Sequence, residues 1–211
     1  MTEPWSREES VVILVDDDES FRNALAQLLQ LVGLRTVCFS SAQEFLQRKL
    51  PDLPSCLVLD VRLPGASGLN VQENLAKEGI KIPIVFVTAH GDIPMSVRAM
   101  KAGAVEFLAK PFRDDELLDA VHLALTKDRT RRERERANAH LRSRLATLTP
   151  REHQIMDFIA TGMLNKQIAA RLGIADITVK IHRGNVMRKM GARSLAELLK
   201  MAQMLGLGVE P

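Results

Sequence analysis

The chain alternates short apolar runs with longer stretches in which apolar residues recur every three or four positions. Val11 to Val15 is the first run, too short for a helix and suited to a strand covered on both faces. In Ser20 to Val32, apolar residues fall at 21, 24, 25, 28, 31 and 32, which predicts an amphipathic helix closed by Gly33. Arg35 to Phe39 predicts a second strand, after which Ser40-Ser41 caps a helix carrying Phe45 and Leu46. Cys56-Leu57-Val58-Leu59-Asp60 predicts a third strand, stopped by Leu63-Pro64-Gly65. A helix from about Gly68 to Lys77, a strand over Ile82 to Val87, a helix from about Pro94 to Ala102 and a strand over Ala104 to Ala109 complete the series. Five strands alternating with helices predict an α/β doubly wound parallel sheet.

Beyond Asp114 the pattern is helical throughout. Leu117, Leu118, Val121 and Leu125 lie on one face. The charged run from Lys127 to Arg136 has no Gly or Pro and favours helix, and Leu141, Leu145 and Leu148 restore apolar spacing. This predicts one long helix, or two with a break. The run itself reads as a solvated face, a phosphate-binding stretch or a short coiled coil. At Thr149-Pro150-Arg151-Glu152 an N-cap, a first-turn proline and a capping box open a second, all-α module. Gly162, Gly173 and Gly191 punctuate it, and Ser194 with Glu197 forms a second capping box. Four helices are expected at about 150–161, 166–172, 176–190 and 195–205. In the third, Val179, His182, Val186 and Met190 share one side with Met187 beside them, while Lys180, Ile181, Gly184, Asn185 and Arg188 fall opposite. The expected divisions are a tail over 1–10, an α/β domain over 11–126, a helical linker over 127–147 and the second module over 148–211.

Composition adds bounds. The 211 residues are 46% hydrophobic and 26% charged, ordinary for a globular protein. The polar start is no signal peptide, and no apolar run approaches the ~18 residues of a membrane span. Cys38 and Cys56 read as two reduced core thiols, so a cytoplasmic protein is expected. The net charge of +3 is uneven: residues 148–211 hold nine basic against five acidic side chains, a pointer to nucleic acid.

Candidate chemistry lies at the strand ends. One Asp alone after a strand is more often a cap or turn residue. Here four strands bring polar groups to equivalent positions: Asp16-Asp17, Asp60, Thr88 and Lys110. Asp16-Asp17-Asp18-Glu19 repel one another unless a cation sits among them, and Mg²⁺ suits such oxygen ligands. The alternative is a solvated acidic turn favouring the next helix. Cation ligands, a nucleophilic carboxylate, a hydroxyl and a fixed positive charge together suit in-line phosphoryl transfer to Asp60. On the second module, Gly184 weakens its helix and leaves room for DNA, Ile181 suits a thymine methyl, and Lys180 or Arg188 suits phosphate or guanine; the alternative is a merely solvated outer face.

Two stretches resemble known families. Val15-Asp16-Asp17, Leu59-Asp60-x-x-Leu63-Pro64-Gly65-x-x-Gly68, Val87-Thr88-Ala89 and Lys110-Pro111-Phe112 make residues 11–126 similar to the flavodoxin-like receiver domain of two-component response regulators. The resemblance implies that a sensor histidine kinase phosphorylates Asp60. It implies Mg²⁺ held by Asp17, Asp60 and the Arg62 backbone carbonyl, with Asp16 acting mainly through water. It implies that Lys110, preceding a cis proline, contacts the phosphoryl oxygen, that Thr88 swings toward it, and that Phe107 holds the aromatic switch position. The chain has no Tyr, so such a switch works by packing.

Leu148-Thr149-x-Arg151-Glu152, Asn165-Lys166-x-Ile168-Ala169, Leu172-Gly173-Ile174, Thr178-Val179-Lys180-x-His182 and Lys189-Met190 make residues 148–205 similar to the LuxR-type helix-turn-helix. The whole resembles NarL/FixJ-family regulators, FixJ-type members in particular. On that likeness the 176–190 helix enters the major groove, with Lys166, Thr178, Lys180, Ile181, Arg183, Gly184, Asn185 and Arg188 as the DNA-binding set. A homodimer formed on phosphorylation, promoter DNA and RNA polymerase are the implied partners, and no enzyme activity beyond the chain's own phosphotransfer and dephosphorylation is expected. Leu164 and Ala175 depart from the usual Ser or Thr caps, and Gly184 replaces a longer side chain. A haloacid-dehalogenase-type phosphatase is the enzyme rival. It needs a second Asp two residues after the nucleophile, where this chain has Arg62. A receiver whose second module binds protein is the other rival.

Overall fold

The computed structural model describes residues 10–89 and 91–208; the polar start of the chain and His90 lie outside them. The chain divides between Arg132 and Glu133 into two compact units. In the first, five parallel strands run in the order β2 (Arg35–Phe39), β1 (Val11–Val15), β3 (Ser55–Asp60), β6 (Ile84–Thr88) and β7 (Glu106–Ala109). A two-residue hairpin, β4 (Arg62–Leu63) with β5 (Ala66–Ser67), follows β3 where the sequence predicts only a turn. Gly65 has φ 75° at its tip, a conformation that suits glycine.

The three central strands β1, β3 and β6 are buried on both faces, and their side-chain period of two sorts them into two cores. Val11, Ile13, Val15, Leu57, Leu59 and Phe86 face α2 (Ala42–Leu46), α3 (Gly68–Lys77) and α4 (Ile93–Lys101). Val12, Leu14, Cys56, Val58, Val85 and Val87 face α1 (Glu19–Leu31) and the first turns of α5 (Asp114–Leu145). Burying each such side chain contributes about 1.5–3 kcal/mol. The chain leaves β1 toward β2 on one side and β3 toward β6 on the other. This reversal opens a crevice beyond the carboxyl ends of β1 and β3.

Some expectations change. Strand β6 starts at Ile84, because Pro83 lacks the amide a ladder needs. β7 likewise starts at Glu106 and not at Ala104. Cys38 is exposed, not a core thiol, because β2 is an edge strand; Cys56 is buried. The linker is unbroken: α5 runs 32 residues. Its charged run is not simply a solvated face, since Asp128 is 1% exposed and accepts hydrogen bonds from the Ser55 amide (2.9 Å) and the Arg131 and Arg132 guanidiniums.

The second unit packs the end of α5 with α6 (Pro150–Ala160), α7 (Asn165–Leu172), α8 (Asp176–Met190) and α9 (Leu195–Met204) around Ile155, Met156, Ile168, Val179, Val186 and Met190. The Thr149–Glu152 capping box forms as its sequence predicts. Glu152 is also paired with Lys189 at 2.6 Å. The Lys189 hydrogen bond, with the Thr149 amide, holds its carboxyl at about 2. Leu164 and Ala175 are the N-caps of α7 and α8, neither giving a side-chain cap. Gln167 compensates at α7 by accepting from the Leu164 amide at 2.7 Å.

Candidate functional site

The crevice gathers the predicted strand-end residues. Carboxylate oxygens of Asp16, Asp17 and Asp60 lie within 4.8 Å of one another. Asp16 and Asp60 are buried, whereas Asp17 is exposed. Three acids this close repel unless positive charge intervenes, and Lys110 supplies some of it: its Nζ is 2.8 Å from Asp16 and 3.7 Å from Asp60. The same ammonium sits 3.4 Å from the centre of the Phe21 ring, and Phe112 meets Phe21 edge-on. This cation–π seat was not foreseen from sequence. Its signal was Phe21, the one large apolar residue in the first turn of α1. The Lys110-Pro111 peptide is cis, as expected.

The acidic run divides its work. Asp18 caps α1 by accepting from the Phe21 amide, whereas Asp16 accepts from the Asp18 amide at 2.9 Å. Asp18 thus serves the next helix, as the turn reading has it, while Asp16 and Asp17 stay in the crevice beside Asp60. Asp60 accepts from the Arg62 amide at 3.0 Å. Burial raises the Asp60 pKa. The Arg62 amide, the Lys110 charge and a hydrogen bond from Thr88 oppose that rise, and the Asp16 charge adds to it. The carboxylate is thus partly desolvated and at the same time held in place by hydrogen bonds and the Lys110 charge. Gly68 is required beneath it, because a Cβ there would overlap the backbone oxygen of Asp60.

Thr88 is buried and already turned toward Asp60. Phe107 is half-buried, its ring 6.1 Å from that of Phe86. A Cβ at Gly91 would lie 2.7 Å from Phe107 and 3.3 Å from the Thr88 methyl, so a glycine makes room for this ring. Arg62 is exposed at the start of the hairpin.

In the second unit, α8 carries the predicted polar face. Lys180, Ile181, Gly184 and Arg188 are exposed, and Thr178, Arg183 and Asn185 are half-buried. Lys180 pairs with Asp176 at 3.0 Å, a solvated i,i+4 pair that a stronger anion can displace. Arg188 donates to Asn185 at 3.2 Å. Arg183 is committed within the fold, donating to Asn165 at 2.8 Å and tying α8 to α7. Lys166 is exposed at the start of α7. Sequence reasoning missed Ile177, which is 63% exposed beside Ile181 at 59%. Its i,i+4 spacing from Ile181 was the available signal.

Comparison with known proteins accords with both halves. The response regulator receiver domain family matches residues 12–122, and the family of bacterial regulatory proteins of the luxR type matches 146–202. Nodulation protein W of Bradyrhizobium diazoefficiens is 59% identical over 94% of this chain and 88% of its own length. The transcriptional regulatory protein FixJ of Azorhizobium caulinodans is 41% identical over 92% of each chain. Among solved structures, the response regulator StyR superposes with a TM-score of 0.82 at 47% identity, covering 92% of this chain and 98% of its own. Full-length FixJ from B. japonicum gives a TM-score of 0.56 at 37% identity, covering 93% of this chain and 97% of its own. With a receiver fold carrying an acidic crevice, a LuxR-type helical module after it and whole-length relatives of the same build, the chain belongs to the two-component response regulators of the FixJ type.

Proposed function

We propose that this regulator takes a phosphoryl group on Asp60 from a sensor histidine kinase, dimerises, and binds promoter DNA through α8 to control transcription in the cytoplasm. One observation carries the first step: a buried, partly charge-compensated carboxylate faces two further carboxylates within 4.8 Å and an ammonium at 3.7 Å. The donor set fits Mg²⁺, a hard ion with oxygen ligands. Asp16, Asp17, Asp60 and the Arg62 carbonyl would hold it, and it would supply charge neutralisation at the phosphoryl oxygens.

The chain's own groups do the rest. An Asp60 oxygen attacks phosphorus in line, forming the acyl phosphate as the bond to the donor's imidazole nitrogen breaks. Lys110, held between Asp16 and Asp60, moves its charge onto a phosphoryl oxygen. Thr88 transfers its hydrogen bond from the Asp60 carboxylate to the same group, and the Phe107 ring, which lies against Gly91 as the Thr88 methyl does, answers that movement. Acetyl phosphate with Mg²⁺ should add one phosphoryl group to the full-length protein, and Asp60→Asn should abolish the gain in intact mass. Full modification of the variant would exclude Asp60 as the acceptor.

The DNA reading is supported by Gly184. Its helix does not need it: a Cβ there meets nothing within 4 Å. Glycine in a helix interior costs about 1 kcal/mol relative to alanine. A requirement from outside the fold explains that cost, namely close approach of the helix to a DNA backbone. Lys180, Arg188 and Lys166 would meet phosphate or guanine, and Ile181 and Thr178 would meet bases. Gly184→Ala should raise the stability of the second unit by about 1 kcal/mol while weakening promoter binding. A variant that gains stability and binds DNA unchanged would remove this support. RNA polymerase is the partner such a DNA-bound regulator would meet next.

A further inference from the structure

The carboxyl end of α8 is closed by groups from outside the helix. Arg144, in the last turn of α5, donates from Nη1 to the Met190 carbonyl at 2.6 Å. Met190 is the final residue of α8, and its carbonyl has no partner within a helix that stops there. The next residue, Gly191, turns left-handed with φ 74°, and its missing side chain is where the guanidinium rests: a Cβ would lie 2.9 Å from Arg144 Cζ. The neighbouring Lys189 donates to the Thr147 carbonyl at 3.1 Å and pairs with Glu152. A cation at a helix carboxyl end also opposes the negative end of its dipole.

Arg188, on the exposed face, lies two residues from this closure, in the turn that would fray without it. Gly191 and Ala192 bond back to the Arg188 and Met187 carbonyls at 3.2 and 2.9 Å, so their amides report on that turn. The backbone of α8 is weak elsewhere, since its amino end has no side-chain cap and Gly184 interrupts its middle.

We propose that Arg144 is a positioning residue for DNA recognition: the end of the linker helix fastens the last turn of α8 and so fixes where Arg188 is presented. The proposal rests on the reading of α8 as the DNA-reading helix. The linker is thereby part of the DNA-binding apparatus and not a spacer before it. Any change in the order of the α5 terminus is felt at the reading face without a residue of that face being altered.

The test uses the full-length protein treated with acetyl phosphate and Mg²⁺, and a duplex selected by it from a random pool. Arg144→Gln should weaken binding about tenfold. Arg188→Ala should do so by a similar factor in the native background but by less than twofold in the Arg144→Gln background, because the two act as one unit. Arg144→Lys, which keeps a donor and the charge, should recover most of the affinity. In hydrogen exchange, Arg144→Gln should speed the Gly191 and Ala192 amides at least tenfold and leave those of Ile155 and Met156 in α6 unchanged. Equal costs of Arg188→Ala in both backgrounds would overturn the inference, as would acceleration of all these amides together. If Lys180→Ala also leaves binding intact, the reading of α8 itself fails. If Lys180→Ala weakens binding and Arg144→Gln does not, only the role of Arg144 fails.

Discussion

Replacing Asp128 by alanine should lower the stability of the receiver by about 3 kcal/mol, the lower end of the cost of breaking a buried ion pair. The site explains the size. Asp128 is 1% exposed, and its two oxygens accept from the Ser55 amide and from Arg131 and Arg132. Arg132 reaches on to Asp52 at 2.8 Å. Without the carboxylate, the buried Ser55 amide loses its partner and the two guanidiniums lose the charge between them, although Arg132 keeps Asp52 and the Pro51 carbonyl. Arg131 and Arg132 keep some solvent, at 28% and 19% side-chain exposure, which moderates the loss. Against a typical total of roughly 5–15 kcal/mol, the change is large. It should appear as a fall of roughly 10 °C in the receiver's melting transition. Asp128→Asn should fall between, since an amide can still accept from Ser55 but brings its own N–H groups toward the arginines. A midpoint within 2 °C of native for the alanine variant would mean that the network carries no net stability.

Asp128 also marks where sequence reading fell short. A run of alternating charges carries no sign of which member faces inward, so none of the readings open to the segment, a solvated face, a phosphate-binding stretch or a short coiled coil, included a buried carboxylate. Yet Leu117, Val121, Leu125, Asp128 and Arg132 follow one another at helical spacing, and that register was the signal. The crevice was legible because each of its members stands at or just past the carboxyl end of an apolar strand, and strand ends converge in a parallel sheet whatever the loops do. The face of α8 was legible because a period of 3.6 separates Val179, Val186 and Met190 from Lys180, Gly184 and Arg188 without further knowledge. Exposure of Cys38 was not, because Arg35 to Phe39 reads alike at an edge or in the centre of a sheet. The closure of α8 by Arg144 was not either, since it joins residues 46 apart through a side chain long enough to point several ways.

The isolated fragment 133–211 should fold and melt cooperatively, whereas 148–211 should be less stable by about 3 kcal/mol or more. The second unit claims the end of α5: Leu141 is 7% exposed in its core, Leu145 packs against that core, and Arg144 closes α8. Cutting at 148 removes all three. This matters for how phosphorylation acts, because weak DNA binding by the shorter piece would reflect poor folding and decide nothing. The longer fragment separates the alternatives. If the unphosphorylated receiver covers α8 and phosphorylation releases it, 133–211 binds a selected duplex as tightly as the phosphorylated full-length protein. If phosphorylation acts by joining two receivers, the second module meets its half-site at high effective concentration, and the fragment should bind roughly 100-fold more weakly. The second outcome is expected, with the full-length protein becoming dimeric in sedimentation only after acetyl phosphate treatment. Equal affinity of fragment and phosphorylated protein, or a phosphorylated monomer with raised affinity, would assign control to release instead.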